Sequence, residues 1–183
     1  TAGFIGFHAA KLMLEMGHKV KGYDNLSDYY DKSLKEDRHK YLYDNHGDNF
    51  CATIGMLEDS DRLNKTITDF QPEIVIHLAA QAGVRYSLEH PEAYINSNII
   101  GTFNLLEVIK GLNIKHFMMA STSSAYGSNT EMPFHENHKA DNQLTIYSAT
   151  KKSNESMCHA YSYINEIPIT VFRFFTVYGP WGR

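Results

Sequence analysis

Two side chains in this sequence have the types and the spacing needed for acid–base chemistry. Tyr147 and Lys151 stand four residues apart in "YSATK", so on a helix they would share one face. A tyrosine with its usual pKa of about 10 is a poor base at neutral pH, but a neighbouring ammonium group favours the phenolate. The spacing predicts an acid–base pair, although a Tyr and a Lys on a solvent-exposed helix would give the same pattern.

A run of hydroxyl side chains precedes this pair. The segment "STSS", residues 121–124, follows the apolar stretch "KHFMMA" and is called the hydroxyl turn below. A polar loop is one interpretation, because Ser and Thr favour turns by hydrogen-bonding to nearby backbone groups. The other interpretation follows from the location of ligand sites in parallel α/β sheets, which lie beyond the carboxyl ends of the strands. A hydroxyl group there could orient a proton between a substrate oxygen and Tyr147.

The first residues, "TAGFIG", indicate a phosphate-binding loop. Gly3 and Gly6 are spaced like the last two glycines of a dinucleotide-binding fingerprint and lead into a helical pattern. Asp24 ends the next predicted strand, about 20 residues later, where a carboxylate can bind both ribose hydroxyls of NAD. The same carboxylate would repel the additional phosphate of NADP. Each feature alone is weak evidence, but together they favour an NAD site over a glycine-rich helix start and a loop aspartate.

The pattern of elements predicts an α/β fold with a doubly wound parallel sheet, a Rossmann-type NAD-binding domain over residues 1–183. The apolar run in "PEIVIHLAA" predicts a strand covered on both faces. A strand before Gly3 and a substrate domain after "VYGPWGR" belong to such a protein, so we expect the chain to be a fragment, incomplete at its N-terminus. The predicted strands are "HKVKGYD", "NFCATIGM", "PEIVIHLAA", "KHFMMAS" and "PITVFRFF"; the predicted helices are "FIGFHAAKLMLEM", one within residues 25–47, "SDRLNKTITDF", one from Pro91 to Lys110, and "TIYSATKKSNESMCHAYSYIN".

Composition excludes several functional classes. The chain is 43% hydrophobic and carries a net charge of -4 with no run of Lys or Arg, so it lacks the basic surface of a nucleic-acid-binding protein. No apolar run has the length of a membrane span. Cys51 and Cys158 lie far apart and outside any CxxC motif, which favours reduced thiols and a cytoplasmic location. The ten histidines are scattered, and we expect no metal site.

The motifs taken together resemble the extended short-chain dehydrogenase/reductase superfamily, which includes NAD-dependent epimerases and dehydratases of sugar nucleotides. The resemblance extends over nearly the whole chain and, within that superfamily, is greatest to the UDP-glucuronate 4-epimerases. It implies NAD as a bound cofactor and a full-length homodimer. It also implies a nucleotide-sugar substrate, UDP-glucuronate, that is epimerised at C4 through a 4-keto intermediate. The motifs are "TAGFIG", "YDN", "HLAAQAGVRYS", "NSNIIGTFNLLE", "STSSAYG", "YSATKKSNE" and "RFFTVYGPWGR".

The resemblance also implies roles for individual residues. Met56 stands where the family often has an acidic residue at the adenine, so we expect the backbone near Met56 and Leu57, or the neighbouring Glu58, to make that contact. The implied catalytic residues are Thr122, Tyr147 and Lys151. The implied cofactor-binding residues are Gly3, Phe4, Ile5, Gly6, Asp24, Asn25, Met56, Leu57, Ala79, Ala80, Gln81, Asn98, Tyr147 and Lys151. The implied substrate-binding residues are Thr122, Ser123, Ser124, Tyr147, Thr176 and Arg183.

Two serines separate the possible reactions. Ser123 and Ser124 stand where the resembling 4,6-dehydratases carry Asp and Glu, and where UDP-glucuronate decarboxylases usually carry Glu at the second position. Neither serine has a carboxyl group for an elimination, which argues against a lyase. The alternatives that stay open are a UDP-hexose 4-epimerase, which typically has Asn in place of Thr176, a related dehydratase or decarboxylase, and an NAD(H)-binding regulator. Regulators tend to lose the Tyr–Lys pair that this chain retains.

Overall fold

The computed structural model describes residues 1–182, which form two units. The first unit contains Thr1–Phe70 and the segment that starts at Val177. Its two strands, β1 and β2, are parallel, with Val20 opposite Phe50 and Asp24 opposite Ile54. In chain order its elements are α1 (Phe4–Glu15), β1 (Val20–Asp24), α2 (Lys32–His46), a 3₁₀ turn (Gly47–Asn49), β2 (Phe50–Ile54) and α3 (Ser60–Phe70).

Helix α1 packs its apolar side into the core of this unit. Phe7, Ala10 and Leu14 recur at helical spacing and lie against Leu42 and Phe50, all with at most 5% exposure. The helix stops where the sequence predicted, because Gly17 adopts a positive φ of 85° that side chains disfavour. This packing fixes the start of α1, where the glycine motif lies.

The second unit, Gln71–Thr176, is a parallel sheet of three strands in the order β3-β4-β5. Thr122 at the end of the central strand lies opposite Phe174, so the carboxyl ends of these strands share one edge. The elements are β3 (Ile74–His77), α4 (Tyr86–Glu89), α5 (Pro91–Tyr94), a π-helical segment (Ile95–Ile100), α6 (Gly101–Ile109), β4 (His116–Thr122), a 3₁₀ turn (Ser123–Tyr126), α7 (Ile146–Asn165) and β5 (Ile169–Phe174).

Two details of this unit differ from the sequence-based expectation. The helix predicted from Pro91 to Lys110 contains the π-helical segment, a local widening that often accompanies a functional side chain. Strand β3 is not covered on both faces, since Ile74 and Ile76 are 49% and 39% exposed. Alternation places Ile74 and Ile76 on the same face of β3, and the described residues leave that face partly open. An apolar run alone does not show how many faces are covered.

Helix α7 has a defined first turn. Thr145 and Ser148 form a capping box, in which each side chain accepts the other residue's backbone N–H at 3.2 Å. Tyr147 lies within this capped turn, so the cap fixes the backbone that carries it. Within residues 1–182, no helix combines the length and the apolar composition that crossing a bilayer requires. The same residues include no group of three or more His, Cys, Asp or Glu side chains placed to hold a metal ion.

Candidate active site

The start of α1 in the first unit presents free backbone N–H groups. Gly3 is the N-cap residue, and no side chain caps the helix. Phe7 donates its N–H to the Gly3 carbonyl at 2.8 Å, so the N–H groups of Phe4, Ile5 and Gly6 have no partner within the helix. A Cβ atom on Gly3 would meet no heavy atom within 4 Å, which leaves room for a ligand. This geometry suits an anion, because the helix dipole adds to the N–H donors.

A second group of the predicted residues meets at the carboxyl ends of β1 and β2. The Asp24 carboxylate accepts the N–H groups of Ala2 and Leu26, each at 3.0 Å, and is thereby held in one orientation. Asn25 donates its side-chain N–H to the Met56 sulfur at 3.6 Å. The structure therefore brings Asp24, Asn25 and Met56 together, as the strand pairing requires.

The residues expected at the adenine differ in exposure. The Met56 carbonyl accepts the Tyr23 hydroxyl at 2.9 Å. Leu57 is 8% exposed, whereas Met56 is 50% exposed. The flexible Met56 side chain is therefore accessible to a ligand, and the adenine contact itself stays a prediction.

In the second unit, Tyr147 and Lys151 both lie on α7, next to the last residues of β4. Thr122, the last residue of β4, is near enough to the Tyr147 hydroxyl to affect its pKa. Lys151 is 3% exposed, and its ammonium donates to the Ala120 carbonyl at 3.0 Å. One face of α7 thus places a phenol and an amine against the last residues of β4.

Burial dominates the electrostatics of this group. It raises the pKa of Tyr147, and the side chain of Thr122 opposes that rise. Burial also lowers the pKa of Lys151 to about 8. The expectation that Lys151 favours the phenolate stays a prediction.

The side chains of the hydroxyl turn have different partners. Ser121 is 4% exposed and donates to the Glu155 carboxylate at 2.6 Å, eight residues after Tyr147 on α7. Thr122 faces Tyr147 and also accepts the Ser124 N–H at 3.2 Å, which starts the 3₁₀ turn. Ser123 and Ser124 are half-buried. Thr122, Ser123 and Ser124 therefore remain candidates for substrate contacts at the carboxyl end of β4, whereas the Ser121 hydroxyl is used in a structural hydrogen bond.

The loop after β3 is held from behind by Asn98. The side chain of Asn98, which is completely buried, accepts the Gln81 N–H at 2.8 Å and donates to the Gln81 carbonyl at 3.1 Å. Its second N–H donates to the Thr150 hydroxyl on α7 at 3.0 Å. Asn98 thus joins the loop containing Ala79, Ala80 and Gln81 to the helix that carries Tyr147.

The remaining predicted site residues lie after β5. Thr176 is exposed and follows the end of β5 by two residues, at the same edge of the sheet as Thr122. Arg183 lies outside the described residues. The structure therefore locates Thr176 beside the carboxyl ends of the strands, and it leaves the role assigned to Arg183 as an expectation from the resemblance.

Sequence reasoning missed two buried polar groups behind the site. The His77 ring lies 2.9 Å from the Thr102 hydroxyl, which also accepts an N–H of Asn154 at 3.2 Å. The second group is the Glu155–Arg173 ion pair, with Arg173 donating through two nitrogens at 2.9 and 2.8 Å. The sequence did point to Glu155 of this ion pair, because Glu155 follows Lys151 by four residues and therefore lies on the same helix face.

Comparison with known proteins places this geometry in a family. The family model described as GDP-mannose 4,6 dehydratase matches residues 1–183. The chain is 54% identical over 183 residues to a probable UDP-glucuronate 4-epimerase of Rhizobium meliloti (strain 1021), covering all of this chain and 53% of that protein. It is 52% identical to Protein CapI of Staphylococcus aureus, covering all of this chain and 54% of that protein. The chain thus spans about half the length of the curated relatives it matches.

Solved structures agree with the sequence matches. The crystal structure of UDP-glucuronic acid 4-epimerase from Bacillus cereus, in complex with UDP-glucuronic acid and NAD, superposes with a TM-score of 0.90 at 35% identity. That match covers all of this chain and 56% of the Bacillus protein. A UDP-glucose 4-epimerase of Thermotoga maritima gives a TM-score of 0.84 at 31% identity, covering 98% and 54% of the two chains. These matches confirm the predicted Rossmann-type α/β fold, and the chain belongs to the family described as GDP-mannose 4,6 dehydratase.

Proposed function

We propose that the full-length protein is an NAD-dependent epimerase that converts UDP-glucuronate to UDP-galacturonate at C4. The observation that carries the proposal is the arrangement of Tyr147 with Thr122 and Lys151 at the carboxyl end of β4. The relatives from Rhizobium and Bacillus support the choice of sugar, since both are named for this reaction.

The described residues fit NAD. In the first unit, the free N–H groups at the start of α1 suit a pyrophosphate, and Asp24 with Asn25 suits the adenosine ribose. Met56 and Leu57 are proposed to line the adenine. In the second unit, the buried side-chain nitrogen of Gln81 has no hydrogen-bond partner among the described residues, which is a donor available to a ligand. When bound, NAD accepts a hydride from C4 of the sugar and later returns it, so none is consumed.

The chain's own side chains would handle the proton. Tyr147 is positioned to accept the proton of the sugar 4-hydroxyl as the 4-keto sugar forms, and to return it afterwards. Thr122 supports this role because its side chain favours the phenolate. Lys151 holds the end of β4 through the Ala120 carbonyl and contributes its positive charge. Ala79, Ala80 and Asn98 are proposed to shape the cofactor side of the same unit.

Ser123 and Ser124 have no carboxyl group to act as the acid or base of an elimination, which favours an epimerase over a lyase.

A 4-keto intermediate of a glucuronate is a β-keto acid, which loses carbon dioxide when the breaking C–C bond aligns with the ketone. An epimerase must therefore restrain the carboxylate. We assign this restraint to Thr122, Ser123, Ser124 and Thr176, and we assign Arg183 to the nucleotide or diphosphate of the substrate.

Assembly and location are further parts of the proposal. Ile95, Ile100 and Phe103 are each more than 40% exposed along one stretch of helix, and an apolar surface of this kind supports a homodimer of the full-length protein. Size-exclusion chromatography with light scattering tests the dimer. Both cysteines are free, which is consistent with a cytoplasmic location.

The test is to incubate the full-length protein with UDP-glucuronate and NAD and to identify the products by NMR. We expect UDP-galacturonate, and we expect the matched variant Tyr147→Phe to bind NAD but to lose turnover by roughly 10²-fold or more. UDP-glucose is tested in parallel, because the Thermotoga structure makes it the second candidate substrate. Preferential conversion of UDP-glucose, release of carbon dioxide as the main outcome, or full activity of Tyr147→Phe would each overturn the proposal.

A further inference from the structure

Helix α7 holds the end of β4 at three points, one on each of three successive helical turns. Tyr147 lies near Thr122, Lys151 donates to the Ala120 carbonyl, and Glu155 accepts the Ser121 hydroxyl. The first two contacts belong to the proposed catalytic group. The third does not touch the reacting groups, yet it acts on the residue immediately before Thr122.

Glu155 is mostly buried and fully engaged. Its side chain is 11% exposed, and its two oxygens accept the Ser121 hydroxyl at 2.6 Å and Arg173 at 2.9 and 2.8 Å. Lys152, on the same helix, adds a contact at 3.2 Å. A bidentate carboxylate–guanidinium pair is geometrically specific, so it fixes the orientation of the carboxylate as well as its position.

Arg173 extends this contact to the other end of the 3₁₀ turn. It lies on β5 opposite Ser121, and its guanidinium lies 4.7 Å from the centre of the Tyr126 ring. Tyr126 ends the 3₁₀ turn that begins at Ser123. The Glu155–Arg173 pair therefore contacts the chain on both sides of Thr122, Ser123 and Ser124, through Ser121 before them and Tyr126 after them.

We propose that Glu155 and Arg173 form a positioning pair that fixes the segment carrying Thr122, and so holds the Thr122 hydroxyl close to Tyr147. This inference rests on the proposed function, because Thr122 and Tyr147 are its catalytic groups. Glu155 and Arg173 act through Ser121 and Tyr126 and are positioning residues. A misplacement of about 1 Å in such a group is enough to cost roughly 10²-fold in rate.

The pair has a consequence for the pH profile. Burial raises the pKa of Tyr147, and the Thr122 side chain opposes that rise. The groups around the Tyr147 phenol come from three elements. They are Thr122 from β4, the Tyr94 ring from α5, and Lys151 on the same face of α7 as Tyr147. If the segment moves when the pair is lost, the effect of Thr122 weakens and the phenolate forms only at higher pH.

The experiment compares three variants of the full-length protein with a matched control. Glu155→Gln, Arg173→Lys and Ser121→Ala each remove one part of the contact, and Ser121→Ala leaves the ion pair in place. The control is Glu107→Gln. The Glu107 carboxylate joins α6 to α7 by accepting the Tyr161 hydroxyl, and it also accepts the Lys110 ammonium at the end of α6, away from β4. For each protein we measure melting temperature, NAD affinity, KM, and kcat against pH per NAD-loaded site.

We expect Glu155→Gln to lower kcat about tenfold or more. NAD affinity and KM should change by less than about threefold. The acid limb of the profile of kcat against pH should move upward by about half a pH unit. Ser121→Ala should show a smaller effect of the same kind and should not add to that of Glu155→Gln in the double variant. Glu107→Gln should leave kcat and its pH profile unchanged. Unaltered kcat and pH profile in both Glu155→Gln and Ser121→Ala would overturn the inference.

Failure of the proposed function is distinguishable from failure of the inference. If the wild-type protein converts no UDP sugar, the proposed function is wrong, and crystal structures of Glu155→Gln and the wild-type protein then test the positioning pair alone. A longer distance between the Thr122 and Tyr147 hydroxyl oxygens in the variant supports the pair. An unchanged distance overturns it.

Discussion

Replacing Asn98 with Ala tests the buried connection between the loop after β3 and the helix that carries Tyr147. Asn98 is completely buried and makes three hydrogen bonds, two with the Gln81 backbone and one with Thr150. Alanine leaves the Gln81 N–H buried without its acceptor. Thr150 retains a partner, because its hydroxyl donates to the Tyr147 carbonyl at 2.9 Å.

The expected cost follows from these contacts. An orphaned buried donor costs about 1–3 kcal/mol, and the two lost donor contacts add roughly 0.5–1.5 kcal/mol each. We therefore expect the free energy of unfolding to fall by about 2–6 kcal/mol. The melting temperature of the full-length protein should fall by roughly 3–8 °C, since the shift per kcal/mol is smaller in a longer chain. NAD affinity should fall with it, since Gln81 is proposed to line the cofactor.

Asn154→Ala is the matched control for this prediction. Asn154 is also completely buried, but only its contact with Thr102 is satisfied, and its side-chain oxygen has no partner among the described residues. Differential scanning calorimetry and NAD titration of both full-length variants make the comparison. Equal losses of stability in the two variants, with NAD affinity unchanged in Asn98→Ala, would refute the reasoning.

Three further predictions concern the cofactor, the substrate and pH. Asp24→Ala should weaken NAD binding and reduce discrimination against NADP; competitive titration checks it, and an unaltered preference rejects Asp24 as the ribose ligand. Thr176→Ala should raise the ratio of carbon dioxide and 4-keto-pentose to UDP-galacturonate about tenfold, because one hydrogen bond to a charged group contributes ~1.5–3 kcal/mol; an unchanged ratio contradicts the restraint. Burial, with the charge of Lys151, lowers the pKa of His77 from 6.5 to about 3, so between these values the unfolded chain binds a proton that the folded chain does not. The free energy of unfolding should therefore fall as the pH drops below about 6.5. Over the same pH range the melting temperature of His77→Gln should fall less than that of the wild-type protein. Equal slopes of melting temperature against pH in the two proteins would contradict this prediction.

The order of helices and strands was predictable because it depends on local patterns. Gly17 ends α1 through its positive φ, and the apolar runs became strands β3 and β4. The exposure of Ile74 and Ile76 was not predictable, since coverage depends on which strands and helices become neighbours. The π-helical segment was also missed, because a single turn of this kind has no characteristic residue type or spacing in the sequence.

The candidate site was predictable where its residues share a helix or a motif. The four-residue spacing of Tyr147 and Lys151 places both side chains on one face of α7 regardless of the rest of the fold. Ser121 shows the limit of such reasoning. It stands beside Thr122 in the hydroxyl turn, yet its hydroxyl donates to Glu155, eight residues after Tyr147 on α7.

The sequence by itself determined the chemistry that this chain offers: the start of α1 with its glycines, the carboxylate of Asp24, and the Tyr147–Lys151 pair near a run of hydroxyl groups. These features depend on residue type and short spacing, which local backbone geometry converts directly into position. Only the tertiary structure decided how the groups act on one another. It bound Lys151 to the Ala120 carbonyl, buried Tyr147 so that its pKa rises, and joined Ser121 to Glu155 and Arg173. Burial and long-range partners set these interactions, and both arise only when distant segments pack together.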